Sequence, residues 1–406
     1  MRTMTPWVLA VPSLFFMAWG GNHFTPLLPL YGEHAGLLDW QTNFLLGTYV
    51  IGLVPGLLIA AALSDVYGRK PLTLVGLASS ALGNLIILLG AASVSMLYTG
   101  RFFAGLAVGI GMSVGTSWIK ELSSRDWDPR ATTGAGARRP SLTMTLGFGV
   151  GAAVSGALAQ WVPAPTMTPF IVTISMLVLT IIPTALAPET VGATAPQQPP
   201  QQSWLRQLHT PSAKHPDFLI KVATAAPWVF GAGGIAYGLM PLVLADATGD
   251  FTTLYATMMS VLTLGVGAFV QPFAQRIDRK LNGRALPLGL AVVAIGIALA
   301  ALAAYQAGPI TGIITAVVLG TGYGTVLVTG LYRVQMIAAP RDLAGLTGLF
   351  YALTYVGFLF PTFISALLPV MPYYVTLLIF AGLALISMIV AFGRIRYVRG
   401  PWGKRG

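Results

Sequence analysis

Long apolar stretches recur along the whole chain, each close to the ~20 residues that cross a hydrocarbon core, with short polar connections between them. The pattern predicts twelve membrane spans at 7–31, 41–63, 71–92, 96–119, 140–162, 167–187, 218–245, 251–274, 285–306, 309–334, 342–369 and 372–393. The first run follows Arg2 and continues past Trp19 to Leu30, too long for a signal-peptide core, so it is expected to stay uncleaved. One interruption is longer than the rest, Pro188 to Pro216. Its Pro/Gln core, residues 197–202, buries too little apolar surface to fold alone. Ser203 to Leu208 is expected to lie on the membrane surface as a short amphipathic turn. The expected units are therefore a six-helix bundle over 1–187, a cytoplasmic linker over 188–216, and a second bundle with a basic tail over 217–406.

The charges give this pattern a direction. With the N-terminus inside, the odd-numbered connections contain no Lys or Arg, and their only charges are Glu33, Asp39, Asp246 and Asp250. Every basic residue except Arg101 falls on the opposite side, including Arg69, Lys70, Lys120, Arg138, Arg139, Arg279, Arg284 and the tail from Arg394 to Arg405. Cations on one face mark the cytoplasmic side, so both termini are expected there. Composition agrees: 55% apolar and 9% charged residues over 406 describe an all-α polytopic membrane protein, since a soluble globule carries about 25% charge. The net charge of +11 then reflects topology rather than nucleic-acid binding. The absence of cysteine excludes disulfides, thiolate metal sites and thiol catalysis. His209 and His215 lack carboxylate support for a metal. Gly111-Met112-Ser113-Val114-Gly115 fits a hydrolase pattern but lies inside a span, away from any strand-turn-helix setting. No enzymatic activity, cofactor or metal is expected. The expected partners are the lipid bilayer and a small-molecule substrate, for a monomer in a bacterial plasma (inner) membrane.

Candidate functional residues are the polar and aromatic exceptions within the spans. Arg101 lies about five residues, or ~7 Å, inside the outer face, where an ionised group should face a bundle interior or wet cavity with a partner. Trp19, Asn22 and His23 precede Pro26-Leu27-Leu28-Pro29 in the first span. His23 is the only histidine within a span; it either titrates near physiological pH or serves as a neutral helix–helix hydrogen-bond donor. No Asp or Glu occupies the middle of any span, and the nearest carboxylates are Glu33, Asp39 and Asp246 outside and Asp65 and Glu121 inside. Proton coupling would then use His23 or an edge acid such as Asp246, or transport would be uncoupled. Trp19, Trp228, Tyr237, Tyr323 and Tyr355 suit an amphipathic or aromatic substrate. Gly147, Gly151, Ser155 and Gly156 form a small-residue stripe for close helix packing, with a counterpart in Gly345, Gly348, Ala352, Gly357 and Pro361.

Between the second and third spans lies Leu63-Ser64-Asp65-Val66-Tyr67-Gly68-Arg69-Lys70-Pro71. Gly68 permits the turn, Asp65 can cap the following helix, and Arg69 with Lys70 holds the loop among cytoplasmic headgroups. A longer echo, Gln275 to Arg284, contains Asp278 and Arg279, and Gly109-x-Gly111 corresponds to Gly320-x-Gly322. Such internal repeats build many secondary transporters. Asp-x-x-Gly-Arg-Lys resembles the signature loop of the major facilitator superfamily. Arg101 with Gly105 resembles a second facilitator motif, whose arginine faces the central cavity and takes part in proton coupling. Pro26 and Pro29 resemble the first helix of twelve-helix drug:proton antiporters, and the glycine-rich fifth span resembles the antiporter motif of exporters, although Ala152 follows Gly151 where a proline is usual. The resemblance implies two six-helix bundles around a central cavity, lined by the first, fourth, seventh and tenth spans and opened alternately to each side. It also implies a conformational latch of Asp65, Gly68 and Arg69, mirrored by Asp278 and Arg279, against the opposite half near Arg341 and Asp342. The implied function is proton-driven efflux of small amphipathic compounds, drugs or metabolites, with H+ as coupling ion. The alternative is an importer or facilitator of a sugar or other small metabolite.

Overall fold

A computed structural model describes residues 5–191, 210–281, 284–339 and 343–392, apart from the side chains of Arg279 and Ala344. The linker core, the Ser203–Leu208 segment, His209, Arg341, Asp342 and the basic tail lie outside the described residues.

Among the described residues every regular element is helical. In chain order they are α1 (Pro6–Asn22), α2 (Leu28–His34), α3 (Asp39–Tyr67), α4 (Arg69–Leu89), α5 (Val94–Leu122), α6 (Ala135–Trp161) and α7 (Thr168–Leu186). They continue as α8 (Phe218–Val243), α9 (Thr252–Lys280), α10 (Ala285–Gln306), α11 (Pro309–Ile337), α12 (Gly345–Ala366) and α13 (Tyr373–Phe392). Eleven helices among the described residues are long and apolar enough to cross a membrane. The expected first span differs. It is broken into the 17 residues of α1, a 3-10 turn over Thr25–Leu27 and the 7 residues of α2. Pro26 and Pro29 explain the break, because each lacks the amide that would continue the α ladder and its ring crowds the preceding turn.

Two other departures have local causes. α9 runs to Lys280, beyond the expected end at 274, because the polar turns Gln271–Lys280 extend the helix past the apolar stretch that marks a span. Within α5, Gly111–Gly115 forms a π turn, so Ser113 sits in helical backbone and hydrogen-bonds the carbonyl of Gly109 at 3.0 Å. No nucleophile elbow is formed there.

The chain divides into two compact units, one of Met1–Gln207 with Thr253–Met258 and the other of Leu208–Thr252 with Met259–Gly406. In the N-terminal unit α3 and α5 cross backbone against backbone. A Cβ on Gly52 would meet the carbonyl of Phe102, and one on Gly105 the carbonyl of Tyr49. Any side chain there would force the helices apart, which is why small residues mark membrane helix crossings. The C-terminal unit repeats the device where α11 meets α9: a Cβ on Gly320 would lie 2.7 Å from the Thr263 carbonyl oxygen. Apolar side chains such as Ile51, Leu179, Ile182, Phe269, Ile310 and Ile389 stay exposed, as hydrocarbon-facing residues require.

Candidate functional site

In the N-terminal unit, Gly68 is the single residue between α3 and α4. Its φ of +103° is a conformation that residues bearing a Cβ rarely adopt. α4 therefore starts at Arg69 with its first amides unpaired within the helix. Those amides donate to the Glu189 carboxylate, from Arg69 N at 3.0 Å and Lys70 N at 2.9 Å. Glu189 also accepts the amides of Thr190 at 2.8 Å and Val191 at 3.0 Å. The sequence assigns this capping role to Asp65, and the structure corrects it. Asp65 lies on the last turn of α3, four residues before Arg69, where its carboxylate meets the guanidinium at 2.6 Å. The arginine is then shared. Its Nη2 donates to Glu121 Oε1 at 3.0 Å, and its Nη1 donates to Ser64 Oγ at 2.6 Å. Thr190 adds a short hydroxyl hydrogen bond to Glu121, Trp118 Nε1 donates to the Pro188 carbonyl at 3.0 Å, and Lys70 Nζ donates to the Ala185 carbonyl at 3.1 Å. One guanidinium and one carboxylate thus tie together the ends of α3, α4, α5 and α7. Glu189 belongs to the stretch read from the sequence as linker, 188–216, and its hydrogen bonds join the first residues of that stretch to α4.

Deeper in the same unit, Arg101 on α5 is 1% exposed. Its guanidinium lies between the rings of Phe24, at 4.8 Å, and Tyr49, at 4.7 Å. It makes only long hydrogen bonds, to the carbonyls of Leu45 at 3.4 Å and Gly21 at 3.5 Å. Among the described residues no carboxylate pairs with it; aromatic faces and carbonyl dipoles surround the charge instead. His23 closes the end of α1. Its Nδ1 lies 3.4 Å from Thr173 Oγ1, and its ring meets Phe170 edge-on at 4.9 Å. Trp19 Nε1 donates to the same Thr173 hydroxyl at 3.0 Å, and Asn22 Nδ2 donates to the Phe148 carbonyl at 3.1 Å. The structure thus gathers Trp19, Asn22, His23 and Arg101 around the broken end of α1. Gly147 and Gly151 of α6 give α1 its close approach: a Cβ on Gly151 would sit 2.9 Å from the Trp19 carbonyl oxygen. Ser155 and Gly156 are buried further along α6.

In the C-terminal unit the named tyrosines converge with two residues the sequence reading omitted. Phe230 and Tyr237 come from α8, Tyr323 from α11, and Tyr355 and Phe358 from α12. Phe230 stacks on Tyr355 at 4.3 Å and on Phe358 at 5.1 Å, and lies 5.9 Å from Tyr323. Tyr237 meets Phe358 at 6.3 Å. Helical spacing held the missing signal: Phe230 precedes Tyr237 by two turns, and Phe358 follows Tyr355 by about one, so each pair shares a face. Trp228 stands apart, donating to Ser387 Oγ at 2.9 Å and packing on Phe360, so it fastens α8 to its neighbours. Asp246 is exposed in the short helical turn Ala245–Thr248, away from these rings. Asp278, expected in a mirrored latch, is 5% exposed, and its Oδ1 accepts the Ala285 amide at 3.0 Å, capping α10. The side chain of Arg279 lies outside the described residues.

The chain matches the family model described as Major Facilitator Superfamily over residues 10–360. It is 32% identical over 109 residues to uncharacterized transporter mfc1 of Schizosaccharomyces pombe, covering 26% of this chain and 21% of that protein. An uncharacterized transporter of Rickettsia felis is 29% identical over 98 residues, 24% of each chain. The matched stretch thus spans about a quarter or less of these relatives. The crystal structure of nucleoside transporter NupG aligns with a TM-score of 0.74 over 97% of this chain and 100% of that one, at 14% identity. At that identity the likeness is one of fold.

Proposed function

Because this chain belongs to the Major Facilitator Superfamily of membrane transporters, we propose that it exports small amphipathic compounds, drugs or metabolites, by alternating access and in exchange for protons. The observation that carries this reading is the ring cluster of Phe230, Tyr237, Tyr323, Tyr355 and Phe358, contributed by three helices of one unit. Apolar ring faces with phenol hydroxyls at their edges suit a planar, partly polar solute. The helix-1 prolines and glycine-rich α6 support the outward direction, and His23 beside Arg101 supports a proton role for the other unit. In this reading 6–34 is a twelfth, broken span, both chain ends lie in the cytoplasm, and the protein works as a monomer in the bacterial plasma membrane. The one-sided distribution of Lys and Arg supports that topology.

The test uses the full chain reconstituted in liposomes with a lumenal pH dye and ethidium as substrate probe. An imposed proton gradient should drive ethidium against its own gradient, with a matching lumenal pH change. Phe230→Ala and Tyr355→Ala should each slow that flux several-fold while Trp228→Phe does not. Flux that leaves lumenal pH unchanged would instead indicate an uncoupled facilitator. Full flux in both ring variants would remove the cluster from the substrate path.

A further inference from the structure

A cavity of about 360 Å³ opens in the C-terminal unit, between the last turns of α9 and α11. Gln275 and Asp278 line it from α9, and Val328, Thr329, Tyr332 and Gln335 line it from one face of α11. Among the described lining residues the one formal charge is the Asp278 carboxylate. That side chain is held rigidly, because Oδ1 accepts the Ala285 amide at 3.0 Å and the residue is 5% exposed. Around it stand two carboxamides and a phenol, each able to accept a hydrogen bond. The Thr329 hydroxyl donates to the Thr325 carbonyl at 2.6 Å, so it too presents a lone pair to the cavity.

The N-terminal unit shows what such a place accommodates. Asp65 and Asp278 each stand two residues before the end of their helix, α3 at Tyr67 and α9 at Lys280. Beside Asp65 the space is taken by the Arg69 guanidinium, which reaches across to Glu121 on α5. α11 presents neutral Tyr332 and Gln335 at its lining positions, and among the described residues no cation lines the volume beside Asp278. A rigid carboxylate ringed by acceptors favours a monovalent cation rich in N–H donors, and a planar guanidinium satisfies several acceptors at once.

We propose that the cavity beside Asp278 binds a small guanidinium or primary ammonium compound from the cytoplasmic side, at a site separate from the ring cluster. Its volume falls within the range of small-molecule sites. The proposal is independent of the direction and coupling of transport.

The test measures binding of 4-guanidinobutylamine to the purified full-length protein by calorimetry, with N-butylurea as the neutral analogue. Wild type should bind the guanidinium saturably and the urea at least about tenfold more weakly, as loss of a hydrogen-bonded charge implies. Asp278→Asn keeps an acceptor for the Ala285 amide and should weaken guanidinium binding at least about tenfold. Gln335→Leu, which leaves the cap untouched, should weaken it about threefold or more, the loss of one hydrogen bond. Phe230→Ala should leave it unchanged. Absence of saturable binding, equal affinity for the urea, or wild-type affinity in both Asp278→Asn and Gln335→Leu would overturn the proposal, as would its loss in Phe230→Ala.

Discussion

The two units each carry a carboxylate two residues before the end of a helix, α3 or α9, and use it differently. In the N-terminal unit Asp65 binds Arg69, and in the C-terminal unit Asp278 caps the next helix. Loop length explains the difference. With Gly68 as the sole connector, Arg69 falls one turn after Asp65 and lies beside it. The α4 amides then find their acceptor in Glu189, from a distant part of the chain. Between α9 and α10 the connection is longer, 281–284, and the Ala285 amide donates directly to Asp278. A one-residue turn thus frees a carboxylate for ion pairing only when another acid covers the exposed helix end.

Removing the shared guanidinium should damage the N-terminal arrangement most. Arg69→Ala leaves two carboxylates facing each other without a cation, a change that costs 3–5 kcal/mol when fully buried. Asp65 is 51% exposed and Glu121 35%, so solvent screening reduces the expected loss to about 2 kcal/mol. Thermal melting of the purified protein should fall by several degrees, and Arg69→Lys should recover only part of it, since an ammonium cannot bridge both acids in the same planar fork. An unchanged melting temperature in Arg69→Ala would mean that the cluster does not hold the unit together.

The two capping acids set the next step down. Glu189→Ala should cost about 1–2 kcal/mol, since four amides lose their acceptor but regain water. Asp278→Ala removes one amide bond and should cost about 1 kcal/mol. The same melting measurement compares them, and a larger loss in Asp278→Ala would reverse the contrast between the two loops. Asp65→Asn should matter less for stability, by about 0.5 kcal/mol or less, because Glu121 still holds Arg69. If Asp65 belongs to a latch, Asp65→Asn should nonetheless lower the rate of ethidium flux in liposomes while expression and membrane insertion stay normal. Wild-type flux would exclude that role.

These contrasts also show what the sequence could reveal. Hydropathy located the long helices because crossing hydrocarbon demands a run of apolar residues whatever the tertiary packing. It missed the break after Asn22, since a membrane run stays apolar even where Pro26 and Pro29 interrupt its backbone. Residue type singled out Tyr237, Tyr323 and Tyr355, but not Phe230 and Phe358, which look like ordinary lipid-facing residues until three helices converge. The cap was the hardest to read. Asp65 stands adjacent to α4 in sequence, and nothing in a Pro-rich stretch more than a hundred residues later announces that Glu189 reaches back to it.

A smaller effect bears on how the α5–α6 connection of the N-terminal unit responds to pH. In the connection between α5 and α6, Asp128 accepts from Arg139 Nη2 at 2.8 Å and from the Arg130 amide at 3.2 Å, while Arg139 lies over the Trp7 ring at 4.1 Å. The Arg139 hydrogen bond holds the Asp128 carboxyl below the usual carboxylate range in the folded chain. Above the unfolded value of ~3.9 the carboxyl is ionised in both states, so its contribution to stability is fully present there. As pH falls below that value the unfolded chain takes up its proton first, and the contribution is lost by the time the folded carboxyl protonates. Melting measured from about pH 6 down to about pH 3 should therefore fall less steeply in Asp128→Asn than in wild type, with the difference confined to the acid end. Asp65, Glu121 and Glu189 are common to both proteins, so the comparison isolates Asp128. Parallel melting curves throughout would show that the loop pair leaves folding stability unchanged.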